Sequence, residues 1–204
     1  MSGTVPNPEI YFRQFVPARD TVLMALEEEA RQEDIPIVGP VFGELLYILT
    51  RAAGAKRILE LGTATGYSTI YLARACESTG GKVIAVEKDR EMADRARANF
   101  YNAKVERRIE MLVGDALAEL SKMKIPFDFI FMDIDKEDYI HVLDHCDRLL
   151  KIGGLMVIDN VGFRDADNFN QTIFRNPRWR IVNLFSLLPL HSPEKDGVCL
   201  AIRV

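Results

Sequence analysis

The chain lacks most of what would mark a secreted, membrane-bound or nucleic-acid-binding protein. Its 204 residues hold only three cysteines, Cys76, Cys146 and Cys199. They form no C-x-x-C pair and no metal-ligand spacing, and each sits in an apolar pattern. They read as small buried hydrophobes in a reducing compartment, not as a disulfide framework. No apolar run approaches the ~20 residues needed to span a bilayer, and the N-terminus shows no basic-then-apolar signal pattern. A cytoplasmic location away from membranes is therefore the expectation. Charge of one sign is missing too: a net charge of −4 leaves no overall footprint for nucleic acid. There is no internal repeat and no low-complexity stretch. What remains, 48% hydrophobic and 27% charged residues, is the ordinary mix of a globular chain, and the length suits one domain with its own core.

Residues 1–18, with Pro6, Pro8 and Pro17, read as an arm. From Asp20, a candidate N-cap, the pattern turns helical: Val22, Leu23, Leu26 and Ala30 share a face until Ile35-Pro36 breaks it. A second helix runs from about Pro40 to Gly54. Strands and helices then alternate. Strands are expected at 57–61, 82–87, 109–113, 127–132 and 155–158, with helices at 68–76, 90–103, 116–122 and 137–150 between them. Such alternation implies a parallel sheet with helices on both faces. Two last strands, 179–185 and 198–204, are expected to pair antiparallel at one side. The expected fold is thus α/β and Rossmann-like: a single domain over 1–204, with a seven-stranded, mostly parallel sheet, an antiparallel C-terminal hairpin, and an N-terminal helical extension over 1–54.

Ligands of such sheets bind at the carboxyl ends of the strands, and here every one of the first five strands ends in polar or glycine residues. Strand one gives Glu60 and the loop Gly62-Thr63-Ala64-Thr65-Gly66, whose glycines permit a tight turn and close approach of a ligand. Strand two ends in Glu87, strand three in Gly114-Asp115-Ala116. An acid at Glu87, 21 residues past Gly66, suits ribose hydroxyls, and its bland alternative is a solvated strand-end acid. The dinucleotide pattern G-x-G-x-x-G is absent, which weakens a pyrophosphate ligand and favours a positively charged, adenosine-containing one. Asp115 also fits the N-cap of the following helix, and both roles are compatible.

Strands four and five end in Asp133-Ile134-Asp135-Lys136 and Asp159-Asn160. Neighbouring strand ends lie ~5 Å apart, so Asp133 and Asp159 repel each other unless a cation sits between them. Two carboxylates and an amide make a hard, all-oxygen partial shell suited to Mg²⁺. A plain turn at Asp159-Asn160 is the alternative. Lys136, in a cleft beside a divalent cation, is a candidate general base, its pKa expected to fall there. His141 and His145 are spaced i, i+4 but lack the glutamate and third ligand of a zinc helix. His191 reads as a solvated loop residue and Trp179 as packing.

The stretch Glu60-Leu61-Gly62-Thr63-Ala64-Thr65-Gly66-Tyr67-Ser68-Thr69 resembles motif I of the class I S-adenosylmethionine methyltransferases. Phe131 to Tyr139, with Val157-Ile158-Asp159-Asn160-Val161, resembles the cation-dependent O-methyltransferases, which include the catechol and caffeoyl-CoA enzymes. The resemblance covers roughly residues 35–162. It implies S-adenosylmethionine as cofactor, with contacts from Val38, Glu60, Gly62, Thr63, Gly66, Tyr67, Ser68, Glu87, Asp115, Ala116 and Asp133. It implies Mg²⁺, or another divalent cation such as Mn²⁺ or Ca²⁺, on Asp133, Asp159 and Asn160. Lys136 is implied as catalytic base, with Asp133 also in a catalytic place, and a vicinal-dihydroxy small molecule as acceptor. Ile134 departs from the aromatic or histidine often found near the adenine in relatives. The short stretch Gly162 to Asp167 also departs, which leaves the acceptor open. Relatives are often dimers, so a homodimer is expected, with the C-terminal hairpin and the N-terminal arm as its candidate surfaces.

Two other readings stand beside this one. Methylation of hydroxylated uridine in tRNA is known among bacterial relatives, and the acidic net charge argues mildly against it. A nicotinamide-dependent oxidoreductase would share the fold and the strand-two acid, but would want G-x-G-x-x-G and a catalytic Tyr/Lys or His near the cleft.

Overall fold

The computed structural model describes residues 3–204; the first two residues of the N-terminal arm lie outside the described residues. Eight helices and seven strands follow in order: α1 Pro8–Arg13, α2 Thr21–Glu33, α3 Gly39–Ala52, β1 Arg57–Leu61, α4 Tyr67–Ala75, β2 Lys82–Glu87, α5 Arg90–Asn102, β3 Ile109–Val113, α6 Ala116–Lys122, β4 Phe127–Met132, α7 Tyr139–Leu149, β5 Leu150–Ile158, α8 Asp167–Arg175, β6 Trp179–Leu187 and β7 Lys195–Arg203. Short 3-10 turns join some of them, one at Lys136–Asp138.

One sheet holds all seven strands in the order β3-β2-β1-β4-β5-β7-β6. The first five run parallel, and β7 pairs antiparallel with both β5 and β6. The chain reverses direction across the sheet between β1 and β4, so the crevice for a ligand opens beyond the C-terminal ends of those two strands.

Alternation along the strands sorts the core into two layers. Ile58, Phe129 and Phe131 face one side, against Leu46 of α3 and Ile70 of α4. Leu59, Leu61, Ile130 and Met132 face the other, against Val142 and Leu143 of α7 and Phe169 of α8. Phe129 and Phe131 are completely buried, which stabilises the fold by roughly 1.5–3 kcal/mol for each side chain. All three cysteines are buried and free. No helix among the described residues is long and apolar enough to cross a membrane.

Asp20 caps α2 by accepting from the Leu23 amide at 3.0 Å, and Asp115 caps α6 by accepting from Ala118 at 2.9 Å. The terminal hairpin strands run Trp179–Leu187 and Lys195–Arg203, against the expected 179–185 and 198–204. Four further features differ from the sequence expectation. The arm contains α1, a short helix with no buried residue. Strand β5 starts at Leu150, five residues earlier than expected, because the chain carries Gly153, at φ +78°, and Gly154 inside a strand. Its pairing with β4 shifts register between Phe127 and Phe129, so the glycine pair reads as a breaker in sequence and is a bulge in space. The helix expected from Glu137 begins at Tyr139, after the 3-10 turn. Helix α8 was not expected: its sequence DNFNQTIFR turns only Phe169 and Ile173 into the core, too few apolar positions to announce a period.

Candidate active site

The loop after β1 departs from ordinary backbone at three points. Gly62, Ala64 and Gly66 have φ of +86°, +46° and +89°. A Cβ on Gly62 would stand 1.8 Å from the backbone oxygen of Asp133, so only glycine lets the ends of β1 and β4 come together. The loop is held from β2. Glu87 accepts from the amides of Thr63 at 3.1 Å and Ala64 at 2.8 Å through one oxygen, and from Asp89 at 2.9 Å through the other.

Beneath the loop, alternation turns Glu60 to the α4 side of the sheet, where it is fully buried. Ser68 donates to it at 2.6 Å, Thr63 at 3.3 Å, and Thr69 also donates to it. Burial pushes its carboxyl up to about 7, against the pull of those three hydroxyls. Two expected cofactor residues therefore stand behind the wall. Glu60 is saturated by hydroxyls, and the hydrogen of Gly66 faces Phe100 and Ala96 on α5. Both shape the loop from within.

A cavity of about 920 Å³ opens beyond the strand ends, at the upper end of the range for small-molecule sites. Val38, Gly62, Thr63, Tyr67, Ser68, Glu87, Asp115 and Ala116 line it around the glycine loop, and Asp133, Lys136, Asp159 and Asn160 line its far side. Tyr67 is fixed by donating to Glu27 on α2 at 2.6 Å, and Arg19 grips the same carboxylate at 2.9 Å. This ties the N-terminal extension to the start of α4, beside the glycine loop. His141 and Phe163 also line the cavity. His145 instead bonds Arg148 at 3.2 Å, so the i, i+4 pair forms no common site.

The far wall is dense in charge. Lys136 donates to Asp133 at 3.2 Å, and its ammonium lies 5.8 Å from the centre of the Phe163 ring. Burial and then the facing charge of Asp159 push the Asp133 carboxyl above the usual carboxylate range, against the pull of Lys136. Asp159 accepts from its neighbour's amide, Asn160 N, at 2.8 Å through Oδ1. Its Oδ2 faces His191 Nε2 at 2.8 Å.

That last contact corrects the sequence reading of His191, which is 5% exposed and lies against Asp159, not in solvent. Burial alone would lower the His191 pKa, but the hydrogen bond and charge of Asp159 outweigh it and raise the value. Asp196 is a second residue that sequence reasoning missed. It takes the Asn160 side-chain amide at 2.5 Å and the amides of Gly162 and Gly197. Neither had a sequence signal, since they lie 32 and 36 positions from their partners in the chain.

The donor chemistry fits a hard divalent cation. The facing charge of Asp159 raises the proton affinity of Asp133, and Asn160 uses its nitrogen on Asp196, which leaves its oxygen as the ligand-type atom. Asp159, His191 and Asp196 also bring one ligand atom each within 4.8 Å of one another. There the hydrogen bonds just described already occupy Asp196 at both oxygens.

The sequence pattern of the O-methyltransferase family matches residues 18–167. A catechol O-methyltransferase from Mycobacterium tuberculosis is 35% identical over 162 residues, covering 76% of this chain and 73% of that protein. One from Niastella koreensis is 34% identical over 94% of both chains. Among solved structures, an O-methyltransferase from Bacillus cereus in complex with S-adenosylhomocysteine superimposes with a TM-score of 0.86 at 30% identity over 96% of both chains. The Streptomyces achromogenes enzyme TomG, in complex with S-adenosylmethionine, gives a TM-score of 0.85 at 28% identity over 96% and 95%. With a fold, a strand-end cavity and a sequence that all converge on the same proteins, the chain belongs to the O-methyltransferase family and is a methyltransferase enzyme.

Proposed function

We propose that the chain transfers the methyl group of S-adenosylmethionine to one of two adjacent oxygens on a small dihydroxy aromatic acceptor, with a divalent cation held by Asp133, Asp159 and Asn160. The observation that carries this reading is the meeting, on one cavity wall, of Lys136, the two carboxylates and the Asn160 amide directly beside the glycine loop.

Val38, Gly62, Thr63, Tyr67 and Ser68 would enclose the methionine half of the donor, with Glu87 at the ribose and Asp115 and Ala116 at the adenine end. A divalent cation, when bound, supplies positive charge that lowers the pKa of an acceptor hydroxyl. Lys136, in its neutral form, takes the hydroxyl proton on Nζ. The oxygen then forms a bond to the methyl carbon as the carbon–sulfur bond breaks, leaving S-adenosylhomocysteine and a methyl ether. Holding donor and acceptor in line supplies on the order of 7–11 kcal/mol of the barrier. The Phe163 ring next to Lys136 offers a face to an aromatic acceptor. Relatives named catechol O-methyltransferase support the acceptor class.

The test is transfer of labelled methyl from S-adenosylmethionine to a catechol, with EDTA and with Mg²⁺, Mn²⁺ or Ca²⁺ restored. Transfer that depends on the added cation is the expected result, and full activity in chelator would overturn the metal role. A panel of vicinal-diol phenols, caffeoyl esters and tRNA separates the acceptor classes.

A further inference from the structure

His191 is buried with no place on the cavity wall, yet its ring touches a residue that does line it. The loop that carries it, between β6 and β7, is determined at several points. Leu190 has φ +66°, and its carbonyl packs where a side chain on Gly39 would stand. His191 N bonds Leu188 O at 2.9 Å, and Ser192 N bonds Ile37 O at 3.2 Å. The imidazole meets Phe42 edge-on, with centroids 5.6 Å apart and planes at 87°. Its Nδ1 lies 2.6 Å from the Pro193 carbonyl and its Nε2 2.8 Å from Asp159 Oδ2. An ionised carboxylate only accepts, so Nε2 is the donor in its contact with Asp159.

We propose that His191 is a positioning residue for Asp159: its Nε2–H, together with the Asn160 amide on the other oxygen, fixes the carboxylate against repulsion from Asp133 in the orientation that binds a divalent cation. This rests on the metal reading above. The physical logic is that of an outer-shell donor. A ligating carboxylate held by a hydrogen bond has its rotation settled before the ion arrives, and loss of such a donor weakens metal binding by about 10–100-fold. A histidine that only fills space would need no donor aimed at this one carboxylate.

The experiment is a Mn²⁺ titration of the full chain, following the electron paramagnetic resonance of the free ion, with neither methyl donor nor acceptor present. S-adenosylhomocysteine affinity, measured by calorimetry, reports that each variant is folded. Wild-type protein is expected to bind one Mn²⁺. His191→Leu should bind it about 10–100-fold more weakly with unchanged S-adenosylhomocysteine affinity, and His191→Gln, which keeps a donor at the end of its side chain, should recover most of the loss. Where His191→Leu does not fold, His191→Phe keeps the ring against Phe42 and removes the donor. Equal Mn²⁺ affinity in the donor-free variant overturns the role of His191 alone. Failure of His191→Gln to recover also overturns it, because packing then explains the loss. Absence of Mn²⁺ binding in wild-type protein overturns the metal reading itself, and the role of His191 with it.

Discussion

Glu87 reaches back from the end of β2 to the Ala64 amide, 2.8 Å away, and so holds the glycine loop with a side chain that also lines the cavity. Removing it costs the loop two charge-assisted hydrogen bonds, and the ligand a wall. Such bonds are worth about 1.5–3 kcal/mol each, so Glu87→Ala should weaken S-adenosylhomocysteine binding by at least about tenfold. Glu87→Gln, which keeps an acceptor oxygen, should lose less. Isothermal calorimetry on both variants checks this; equal affinity in wild type and Glu87→Ala would show that the loop holds itself.

Lys136 contributes to chemistry and not to donor binding on the proposed mechanism. Lys136→Met should lower kcat by about 10²–10⁴-fold, the usual size of a general-base contribution, with S-adenosylhomocysteine affinity unchanged. Steady-state methyl transfer to a catechol, read beside calorimetry, separates the two effects. A variant that keeps kcat would remove the base role.

The buried Glu60 makes stability depend on pH with a definite sign. Its carboxyl titrates at about 7 in the folded protein, against about 4.3 in an unfolded chain. A raised carboxyl stabilises fully below the unfolded value, and that contribution is lost as pH rises from there through about 7. The amount is on the order of 3 kcal/mol for a shift of this size. The urea midpoint of wild-type protein should therefore fall between pH 5 and 8. Glu60→Gln, neutral throughout, should show a flatter profile and lose no stability relative to wild type at pH 8. Parallel profiles for the two would exclude Glu60 as the source.

Helix α1 buries none of its own residues and is tied down by charge: Arg13 forks onto both oxygens of Glu194, and Glu9 pairs with Lys195 at 2.7 Å. Arg13, with the Leu190 amide, holds the Glu194 carboxyl down at about 2. The clamp is therefore complete above the ordinary glutamate range and is released as pH falls from there through about 2. At neutral pH, Glu194→Gln should speed amide exchange across residues 8–13 while leaving the thermal midpoint of the core nearly unchanged. Molar salt should do the same to wild-type protein. Hydrogen exchange followed by mass spectrometry reads both, and a shared loss of core protection would show that α1 is part of the cooperative unit.

Much of the sheet was legible because each parallel strand is a short apolar run closed by a polar residue. Strands β1 to β4 carry that signature with no interruption, and their expected limits match. The same signature displayed the Gly62 loop, Asp133 and Asp159-Asn160, since a strand end is where backbone regularity stops and chemistry is exposed. The rest depended on contacts the linear order does not carry. His191 reaches Asp159 only because β7 inserts between β5 and β6, which brings the loop of the hairpin onto the end of β5. Glu60 looked like a ligand residue because it precedes the glycine loop. Only the packing of α4 on the sheet shows that Ser68 and Thr69 reach it first. Helix α8 escaped notice because a helix that offers two apolar residues to the core has almost no period to read.

The contact between Gly62 and Asp133 sets a length. The glycine loop and the Asp133 wall are separate pieces of chain, after β1 and β4, and they abut through backbone alone, with a hydrogen atom as the only material between Cα and carbonyl oxygen. Side chains that change rotamer have no part in that spacing. On the proposed mechanism, the distance from the methyl donor to the accepting oxygen is thereby referenced to two hydrogen-bonded strands in register. Since an error of about 1 Å at a reacting pair costs on the order of 10²-fold in rate, the bare Cα at position 62 works as a gauge block, and its tolerance is that of the sheet.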